Sequence, residues 1–304
     1  MSDAIPEMAN ALRSFAEGRV TQPLRTIISP SNGDSVLAVM PCHVEGLGYG
    51  VKVIMQKPDN KLRNLATHIG TVSVYSPETG ELAAILDGSA VTAIRTAAVS
   101  AVATQTLARA DAGDLAILGS GQQARTHLEA MAAVRPLRRV RVWSRTANNA
   151  TAFSTWAASA QGLNVEITAT PREALEGADI ICTVTASTSA LIQPEDLVPG
   201  AHVNAIGASI RGMKELASGA VARCSVFVDS IHSALSESSD IRDPIDEGLM
   251  NEKDIKAELG DVLSERASGR SGPDEITLFK SLGLAVEDVT AGFFIVNNAT
   301  RLAR

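Results

Sequence analysis

The sequence predicts an α/β protein with a Rossmann-type doubly wound parallel sheet and a second, discontinuous α+β domain. Two observations lead to this fold class. After residue 113, six short apolar runs alternate with Ala-rich, helix-like stretches, whereas the earlier part of the chain carries longer strands with alternating side chains. Strands buried on both faces have continuous apolar sequences, and six is the number that a doubly wound sheet of this type contains. The six predicted parallel strands cover residues 115–118, 140–143, 165–168, 180–184, 203–206 and 226–228.

The first part of the chain predicts a smaller sheet flanked by helices. Its predicted elements are a helix at residues 7–17, strands at 35–40, 48–56, 70–75 and 81–86, and a helix at 90–108. The turn-rich segment 76–80 makes the last two strands a hairpin. The tail, 284–302, has a helical pattern that could pack back onto this domain. The predicted domains are therefore 1–112 with 284–304, and 113–283.

One long polar segment, 233–274, is rich in charged residues and serine. We expect it either to cover the functional site or to be a solvated surface connection.

Composition narrows the class of partner. Of the 304 residues, 27 are basic and 34 acidic, so the net charge of −7 has the wrong sign for binding nucleic acid or an anionic membrane. Three separated cysteines and five histidines show neither disulfide nor metal-ligand spacing, so no metal is expected. No signal peptide or membrane-spanning run is recognisable. These features predict a cytoplasmic enzyme acting on a small molecule.

A glycine-rich turn follows the first predicted parallel strand. It is the G-x-G-x-x-A segment formed by Gly119, Ser120, Gly121, Gln122, Gln123 and Ala124. The first glycine permits a tight turn, the second lets the backbone approach a pyrophosphate, and the small last residue packs the helix on the strand. The alternative is a chance glycine-rich turn. Because a strand precedes the motif and a helix follows it, we predict a dinucleotide site.

The end of the second parallel strand bears on which dinucleotide binds. An acidic residue there would bind the ribose hydroxyls of NAD, but this chain has Trp143, Ser144, Arg145 and Thr146. A guanidinium between two hydroxyls suits a 2′-phosphate. The alternative is a surface arginine beside a tryptophan that stacks on adenine. We predict NADPH over NADH.

Lys52 interrupts an apolar strand, and period-two alternation places it on the opposite face from Val51 and Val53. Burial lowers the pKa of an ammonium group, and a lysine of this kind can act as an acid or base on an imine or amine. The alternative is an edge-strand lysine that points to solvent.

Arg25 and Arg95 are two further candidates. Arg95 is placed at the start of an Ala-rich helix, the wrong end for a cation, so an external anion such as a substrate carboxylate would explain it. Either arginine could equally be a surface charge. His68, just before a strand, could also reach the site, whereas His127 is predicted to be structural.

Together these segments resemble the ornithine cyclodeaminase and mu-crystallin family over nearly the whole chain. The similar segments are residues 22–26 (QPLRT), 39–41 (VMP), 51–53 (VKV), 79–82 (TGEL), 86–88 (LDG), 92–98 (TAIRTAA), 119–124, 143–146 (WSRT), 177–179 (GAD), 204–208 (NAIGA) and 279–288 (FKSLGLAVED). The resemblance implies a homodimer whose first domain binds substrate and forms the subunit interface. It also implies that Lys52 is catalytic and that Arg25 and Arg95 contact a carboxylate or the cofactor.

The resemblance further implies which residues line the cofactor or the reacting centre. His68 would contact substrate. The implied cofactor contacts outside the glycine turn and the WSRT segment are Thr67, Thr71, Thr92, Thr185, Ala186, Ser187, Gly207, Ser281, Leu282 and Gly283.

One departure from the family pattern separates two activities. Cyclodeaminases carry an Asp in a G-x-D-x-P-G-x-x-E-L segment, and this chain has Ser209 at that position. Because a hydroxyl cannot replace a carboxylate as a base near neutral pH, the chain is more similar to mu-crystallin and the bacterial ketimine reductases. We expect Ser209 to take part in the chemistry, through a bound water.

The resulting hypothesis is NADPH-dependent reduction of a cyclic ketimine carboxylate. Δ1-Pyrroline-2-carboxylate giving L-proline is the first choice, and Δ1-piperideine-2-carboxylate giving L-pipecolate is the second. The alternatives are an ornithine cyclodeaminase, an amino-acid dehydrogenase, or a protein that binds NADPH without catalysis. A dinucleotide-binding fold alone does not choose among them.

Overall fold

The computed structural model describes residues 1–31, 33–63 and 65–302. Contacts divide the chain into two units. The first consists of Asp3–Thr96 with the C-terminal segment from Leu284, and the second is essentially Ala97–Gly283. This division falls inside a helix and not at residue 112. Within the described residues no helix has the length and apolarity needed to cross a membrane.

The first unit is built on an antiparallel sheet. Its strands are β1 (Val20–Thr21), β2 (Thr26–Ile28), β3 (Val36–Val44), β4 (Gly48–Gln56), β5 (His68–Tyr75) and β6 (Leu82–Asp87). The order is β1-β3-β4-β5-β6, and β2 pairs with β3. The predicted hairpin forms between β5 and β6. The short strands β1 and β2 were not predicted, because two or three residues carry no readable alternation.

The second unit is built on a parallel sheet. Its strands are β7 (Asp114–Leu118), β8 (Arg139–Trp143), β9 (Glu166–Ile167), β10 (Ile180–Thr183), β11 (His202–Ala205), β12 (Ser225–Val228), β13 (Ile255–Glu258) and β14 (Thr277–Lys280). The order is β13-β12-β14-β11-β10-β7-β8-β9, and each pair is parallel. All six predicted strands are present, and β13 and β14 were missed.

The α-helices are α1 (Ala4–Ala16), α2 (Gly88–Leu107), α3 (Gln122–Val134), α4 (Ala147–Trp156), α5 (Pro171–Leu175), α6 (Ser218–Ala222), α7 (Ile231–Glu237), α8 (Ser239–Asp246), α9 (Leu259–Leu263) and α10 (Ala285–Leu302). Asp87 caps α2, because its Oδ1 accepts the N–H groups of Ser89 (2.8 Å) and Ala90 (3.1 Å).

The polar segment 233–274 was expected to cover the functional site or to be a solvated surface connection, and the structure shows that it is part of the folded second unit. It contains α8, β13 and α9, and it contributes interior side chains. Ser238 and Asp240 are fully buried there. Apolar side chains such as Ile241 and Ile255 are buried there as well, and the Asp240 carboxylate can be buried because it is hydrogen-bonded.

Helix α10 covers one face of the antiparallel sheet. A Cβ on Gly50 of β4 would lie 2.7 Å from Val289, and one on Gly292 would lie 2.8 Å from Val74 of β5. The glycines therefore allow the helix to approach the strands closely. Residues of β4 that share a face with Gly50, including Lys52 and Ile54, are buried beneath α10.

Candidate active site

The glycine turn of the second unit has room for a ligand above the start of α3. Gly119 has a φ of +123°, and a Cβ there would lie 2.9 Å from the carbonyl oxygen of Val184, so only glycine fits. Gly121 is the N-cap of α3, and a Cβ built on it meets no atom within 4 Å.

The first turn of α3 is also chemically suited to an anion. No side chain caps the helix, and its first turn carries no acidic residue. Free N–H groups and the positive end of the helix dipole bind phosphate. The arrangement therefore fits the pyrophosphate of a dinucleotide, as the motif predicted.

The loop after β8 lies beside this turn. Ser120 Oγ donates a hydrogen bond to Ser144 Oγ over 2.8 Å, which joins the two loops. Arg145 and Thr146 are exposed, and Arg145 forms no ion pair with any described residue. Trp143 is half-buried, and its Nε1 donates to Ala169 O over 3.3 Å. The arginine is therefore available to an external anion.

Glu215 organises the loops that follow β10 and β11. The carboxylate is fully buried and accepts the hydroxyls of Thr183 and Thr185, each over 2.7 Å. It also accepts the backbone N–H groups of Thr185 (2.6 Å), Gly207 (2.8 Å) and Ala208 (3.2 Å). Burial raises the pKa of Glu215, whereas the Lys280 charge and these hydrogen bonds lower it.

These two loops carry several predicted residues. Ala186 is exposed, and Ser187 and Ser209 are half-buried. The backbone N–H of Ser187 donates to Thr185 Oγ1 over 3.2 Å, and that of Ser209 donates to Gly207 O over 3.1 Å. The structure thus places Ser209 next to Gly207, at the carboxyl end of β11.

Asp229 plays a similar part for the loop after β14. Its Oδ2 accepts Ser281 Oγ over 2.9 Å and the N–H groups of Leu282 and Gly283, each over 2.7 Å. Its Oδ1 accepts the N–H of Ser230 over 2.8 Å. Ligands of parallel sheets lie beyond the carboxyl ends of the strands, and segment 281–283 is fixed at that edge.

The first unit contains a buried cluster of four charged side chains. Lys52 Nζ donates to Asp288 Oδ1 over 3.1 Å, and Arg95 Nε donates to the same oxygen over 3.0 Å. Arg95 also forms an ion pair with Glu287. Lys52 is 2% exposed and Arg95 5%, and both carboxylates are fully buried. We call these four residues the charge cluster.

Lys52 is not a solvent-facing edge lysine. Its strand β4 lies between β3 and β5, and the side chain is beneath α10. Burial lowers the pKa of Lys52 to about 8, although the Asp288 carboxylate acts to raise it. The amine can therefore exchange a proton near neutral pH.

The charge cluster retains unused hydrogen-bonding capacity. Asp288 Oδ2 is buried and has no hydrogen-bond partner among the described residues. Such an atom is costly in a protein interior unless a water or ligand satisfies it. The cluster therefore has the character of a functional site as well as a structural one.

Arg95 lies at a different place in its helix from the one predicted, and it binds a different anion. Helix α2 begins at Gly88, so Arg95 lies two turns inside it and not at its start. Its observed partners are Glu287 and Asp288. Protein carboxylates thus account for the anion that the sequence argument sought outside the chain.

The other predicted residues of the first unit lie beside or within strands β2 and β5 and in helix α2. Arg25 is half-buried and directly precedes β2, and Thr71 is exposed in β5. Thr67 Oγ1 and His68 Nδ1 are 3.1 Å apart. Burial of the ring lowers the pKa of His68, and the Lys52 charge lowers it further. Thr92, in α2, donates its hydroxyl to Gly88 O over 2.5 Å.

Two histidines of the second unit are structural. His127 is buried between Ser100 Oγ (2.9 Å) and Gln123 O (2.7 Å), and burial lowers its pKa to about 4. His202 is buried beside Thr277, and burial lowers its pKa to about 3. Among the described residues no group of His, Cys, Asp and Glu could hold a metal ion.

Four carboxylates of these sites were not predicted. They are Glu215, Asp229, Glu287 and Asp288. One signal could have found the last two: a lysine and an arginine buried in one domain need counter-charges, and residues 287–288 place two acids in the first turn of an otherwise apolar helix.

The chain is similar to known proteins over almost its whole length. The ornithine cyclodeaminase/mu-crystallin family matches residues 1–302. A Delta(1)-pyrroline-2-carboxylate reductase of Bacillus cereus is 39% identical over 301 residues, covering 98% of this chain and 92% of that protein. The ketimine reductase mu-crystallin of Mus musculus is 36% identical over 298 residues, covering 97% and 91%.

A solved structure agrees with these relatives. Thermococcus litoralis Delta(1)-pyrroline-2-carboxylate reductase, in complex with NADH and L-proline, superimposes with a TM-score of 0.96 at 33% identity. The match covers 99% of this chain and 93% of that chain.

Proposed function

The chain belongs to the ornithine cyclodeaminase/mu-crystallin family, and from this premise we propose that it reduces cyclic ketimines that carry a carboxylate. The first proposed substrate is Δ1-pyrroline-2-carboxylate, which gives L-proline, and the second is Δ1-piperideine-2-carboxylate, which gives L-pipecolate. One observation carries the proposal: a buried lysine with a pKa of about 8 is held by a buried carboxylate, in a chain similar to reductases of this substrate class.

A nicotinamide dinucleotide fits the residues of the second unit. The open start of α3 is assigned to its pyrophosphate. Arg145, with Ser144 and Thr146, is assigned to a 2′-phosphate, which makes NADPH the proposed cofactor. The residues after β10, β11 and β14 are assigned to the nicotinamide half of the cofactor. Thr67, Thr71 and Thr92 are further proposed cofactor contacts. When bound, this cofactor supplies the hydride.

Lys52 is assigned the role of proton donor to the imine nitrogen. Reduction of a C=N bond adds a hydride to carbon and a proton to nitrogen, and a positive charge on nitrogen makes the carbon electrophilic. The Lys52 ammonium donates to the imine nitrogen, and Asp288 keeps that ammonium in place and charged. An amine with a pKa of about 8 is mostly protonated at neutral pH and yet gives up its proton readily.

The substrate carboxylate is assigned to the arginines of the first unit. Arg25 is the proposed direct contact, because it is half-buried and directly precedes β2, which pairs with β3, the neighbour of the Lys52 strand. Arg95 is held by Glu287 and Asp288, so it contributes positive charge and positions Asp288. His68 is a further proposed substrate contact.

Ser209 separates reduction from deamination. It occupies the position where cyclodeaminases are expected to carry a carboxylate, and a hydroxyl cannot remove a proton near neutral pH. Its hydroxyl can still hydrogen-bond a water or the substrate nitrogen. This favours imine reduction over loss of ammonia from ornithine.

A second copy of the chain is the proposed partner of the antiparallel sheet. The face opposite α10 exposes Tyr49 (64%), Ile69 (50%) and Ile85 (61%) on three neighbouring strands. Exposed apolar patches of this kind mark interaction sites. A homodimer formed through this face accounts for them.

The proposed function is tested by following the oxidation of reduced nicotinamide with each imine. NADPH and NADH are compared, and L-ornithine and L-alanine serve as parallel substrates. Rapid oxidation with either imine is expected. The proposal would be overturned if neither imine caused oxidation of the cofactor while ammonia was released from ornithine or NAD⁺ was reduced in the presence of alanine. Cofactor binding without turnover on any of them would indicate a binding protein.

A further inference from the structure

Four buried charged side chains lie at the carboxyl edge of the parallel sheet. They are Asp229, Lys280, Asp240 and Glu215, each 1% exposed or less. Their contacts connect the ends of β12, β14, β11 and β10, which are successive neighbours in the sheet. A buried charge is costly unless it is paired and hydrogen-bonded, so four such groups at one edge of the sheet need a reason beyond packing.

Lys280 and Asp240 hold the backbone around Glu215 in place. Lys280 Nζ donates to Asp240 Oδ2 over 3.0 Å and to Ala208 O over 2.7 Å. Asp240 Oδ1 accepts the N–H of Glu215 (3.0 Å) and of Leu216 (3.2 Å). Asp240 therefore fixes the backbone at Glu215, and with it the position from which the Glu215 carboxylate binds the two loops.

Glu215 in turn holds two loops at once. Its Oε1 accepts the N–H and the hydroxyl of Thr185, and its Oε2 accepts the N–H groups of Gly207 and Ala208. The loops are in backbone contact, because a Cβ on Gly207 would collide with Thr185 O. Movement of the carboxylate would therefore displace both loops together.

These loops lie on one side of the glycine turn. The turn follows β7, the adenosine end is assigned to β8, and β10 and β11 lie on the other side of β7. In a doubly wound sheet the two halves of a dinucleotide bind to the two halves of the sheet. The loops held by Glu215 are therefore at the nicotinamide half.

We propose that Glu215 is a positioning residue that sets the loops at residues 185–188 and 207–209 for the nicotinamide half of the cofactor, through its hydrogen bonds to Thr185 and Gly207. This inference rests on the proposed dinucleotide site but not on the identity of the imine. Small displacements of positioning groups weaken binding and turnover strongly.

The test uses Glu215→Gln in the full chain and measures dissociation constants without any substrate. An amide keeps one acceptor oxygen and has an NH2 group in place of the other, so it loses the hydrogen bonds either to Thr185 or to Gly207 and Ala208. We expect NADPH and NADH to bind about tenfold more weakly, on the order expected for a misplaced supporting group. ADP and adenosine 2′,5′-bisphosphate, which lack nicotinamide, should bind as they do to the wild type.

Asp179→Asn is the matched control. Asp179 is also a buried carboxylate that accepts two backbone N–H groups, those of Gly113 (2.9 Å) and Asp114 (3.1 Å). These groups lie at the amino end of β7, away from the proposed site. Asp179→Asn should lower the melting temperature and leave all four dissociation constants unchanged.

Thr183→Val keeps the inference testable if Glu215→Gln does not fold. It removes one hydroxyl donor to Glu215 Oε2 and leaves the carboxylate in place. NADPH binding should weaken by a smaller factor, again with ADP binding unchanged. Equal losses for NADPH and ADP, or no loss in either variant, would overturn the assignment of Glu215. A wild type that binds NADPH but reduces no imine would overturn the proposed function alone.

Discussion

Lys52 and Asp288 are 236 residues apart in the chain, yet their Nζ and Oδ1 atoms lie 3.1 Å apart in the interior of the first unit. The same oxygen also accepts Arg95 Nε over 3.0 Å. One carboxylate oxygen thus holds both cations, while its other oxygen has no hydrogen-bond partner among the described residues. Burial lowers the pKa of Lys52, and Asp288 opposes this effect and so helps to keep the ammonium charged.

Replacing Lys52 tests its part in the chemistry. Lys52→Met keeps the length and apolar character of the side chain and removes the proton donor. Turnover of the imine should fall by about 10²- to 10⁴-fold, the usual contribution of a general acid, with NADPH affinity unchanged. Lys256→Met, at an exposed position of β13, is the control and should be fully active. Full turnover of a folded Lys52→Met protein would remove Lys52 from the mechanism.

The pH dependence of kcat/KM should reflect the lowered pKa of Lys52. Because the protonated amine is the active form, the rate should fall as pH rises through about 8. Asp288→Asn removes a carboxylate that raises this pKa, so the fall should move to lower pH. Using the same imine for both proteins cancels the ionisation of the substrate. A fall at the same pH in both would assign the ionisation to another group.

The two glycines of the turn should respond differently to alanine. Gly119→Ala forces a left-handed residue against Val184 O and should lower stability by about 1–3 kcal/mol. Gly121→Ala meets no protein atom, so its melting temperature should equal that of the wild type. Its methyl group would occupy the space assigned to the pyrophosphate, and NADPH should bind at least about tenfold more weakly. Wild-type affinity in Gly121→Ala would contradict the placement of the pyrophosphate.

Arg145 should decide between the two nicotinamide cofactors. Arg145→Ala removes a charge-assisted contact to a 2′-phosphate, so KM for NADPH should rise about tenfold or more while KM for NADH changes little. Arg172→Ala, another exposed arginine of the same unit, is the control and should alter neither value. An equal change for both cofactors, or a wild type that prefers NADH, would show that Arg145 does not read the phosphate.

The exposed sheet face should set the oligomeric state. Ile85→Lys places a charge in the centre of the apolar face, and sedimentation should then report a monomer where the wild type gives a dimer. Leu249→Lys changes a similarly exposed apolar residue of the second unit and should leave the dimer intact. A wild-type monomer, or a dimer that withstands Ile85→Lys, would place the interface elsewhere or remove it.

Local patterns predicted much of this fold. Alternation in β4 placed Lys52 opposite Val51 and Val53, and the structure buries it on the face beneath α10. The glycine turn was recognisable because the motif, its strand and its helix are contiguous. Strands β13 and β14 were missed because lysine and glutamate interrupt or end their short apolar sequences, so neither stands out as an apolar run.

The charge cluster was only half predictable. The sequence identified its cations as residues that needed an explanation, but their carboxylates lie about 190 to 240 residues away in the chain. Without the fold, Arg95 was given an external anion in place of Glu287 and Asp288. Glu215 and Asp229 were missed for a related reason: most of their hydrogen bonds come from backbone N–H groups, and the rest come from hydroxyls 30 to 52 residues away in the chain.

The positions of the charge-cluster residues in the chain also affect the order in which the two units can fold during synthesis. During synthesis Lys52 and Arg95 leave the ribosome long before residues 287 and 288 are made. Until α10 is complete, the antiparallel unit would have to bury two cations without counter-charges, at a cost of several kcal/mol. The contiguous parallel unit has no such dependence on later residues and can fold first on the nascent chain. Lys52 therefore acquires its environment as one of the last steps of maturation, which delays activity until both units are built.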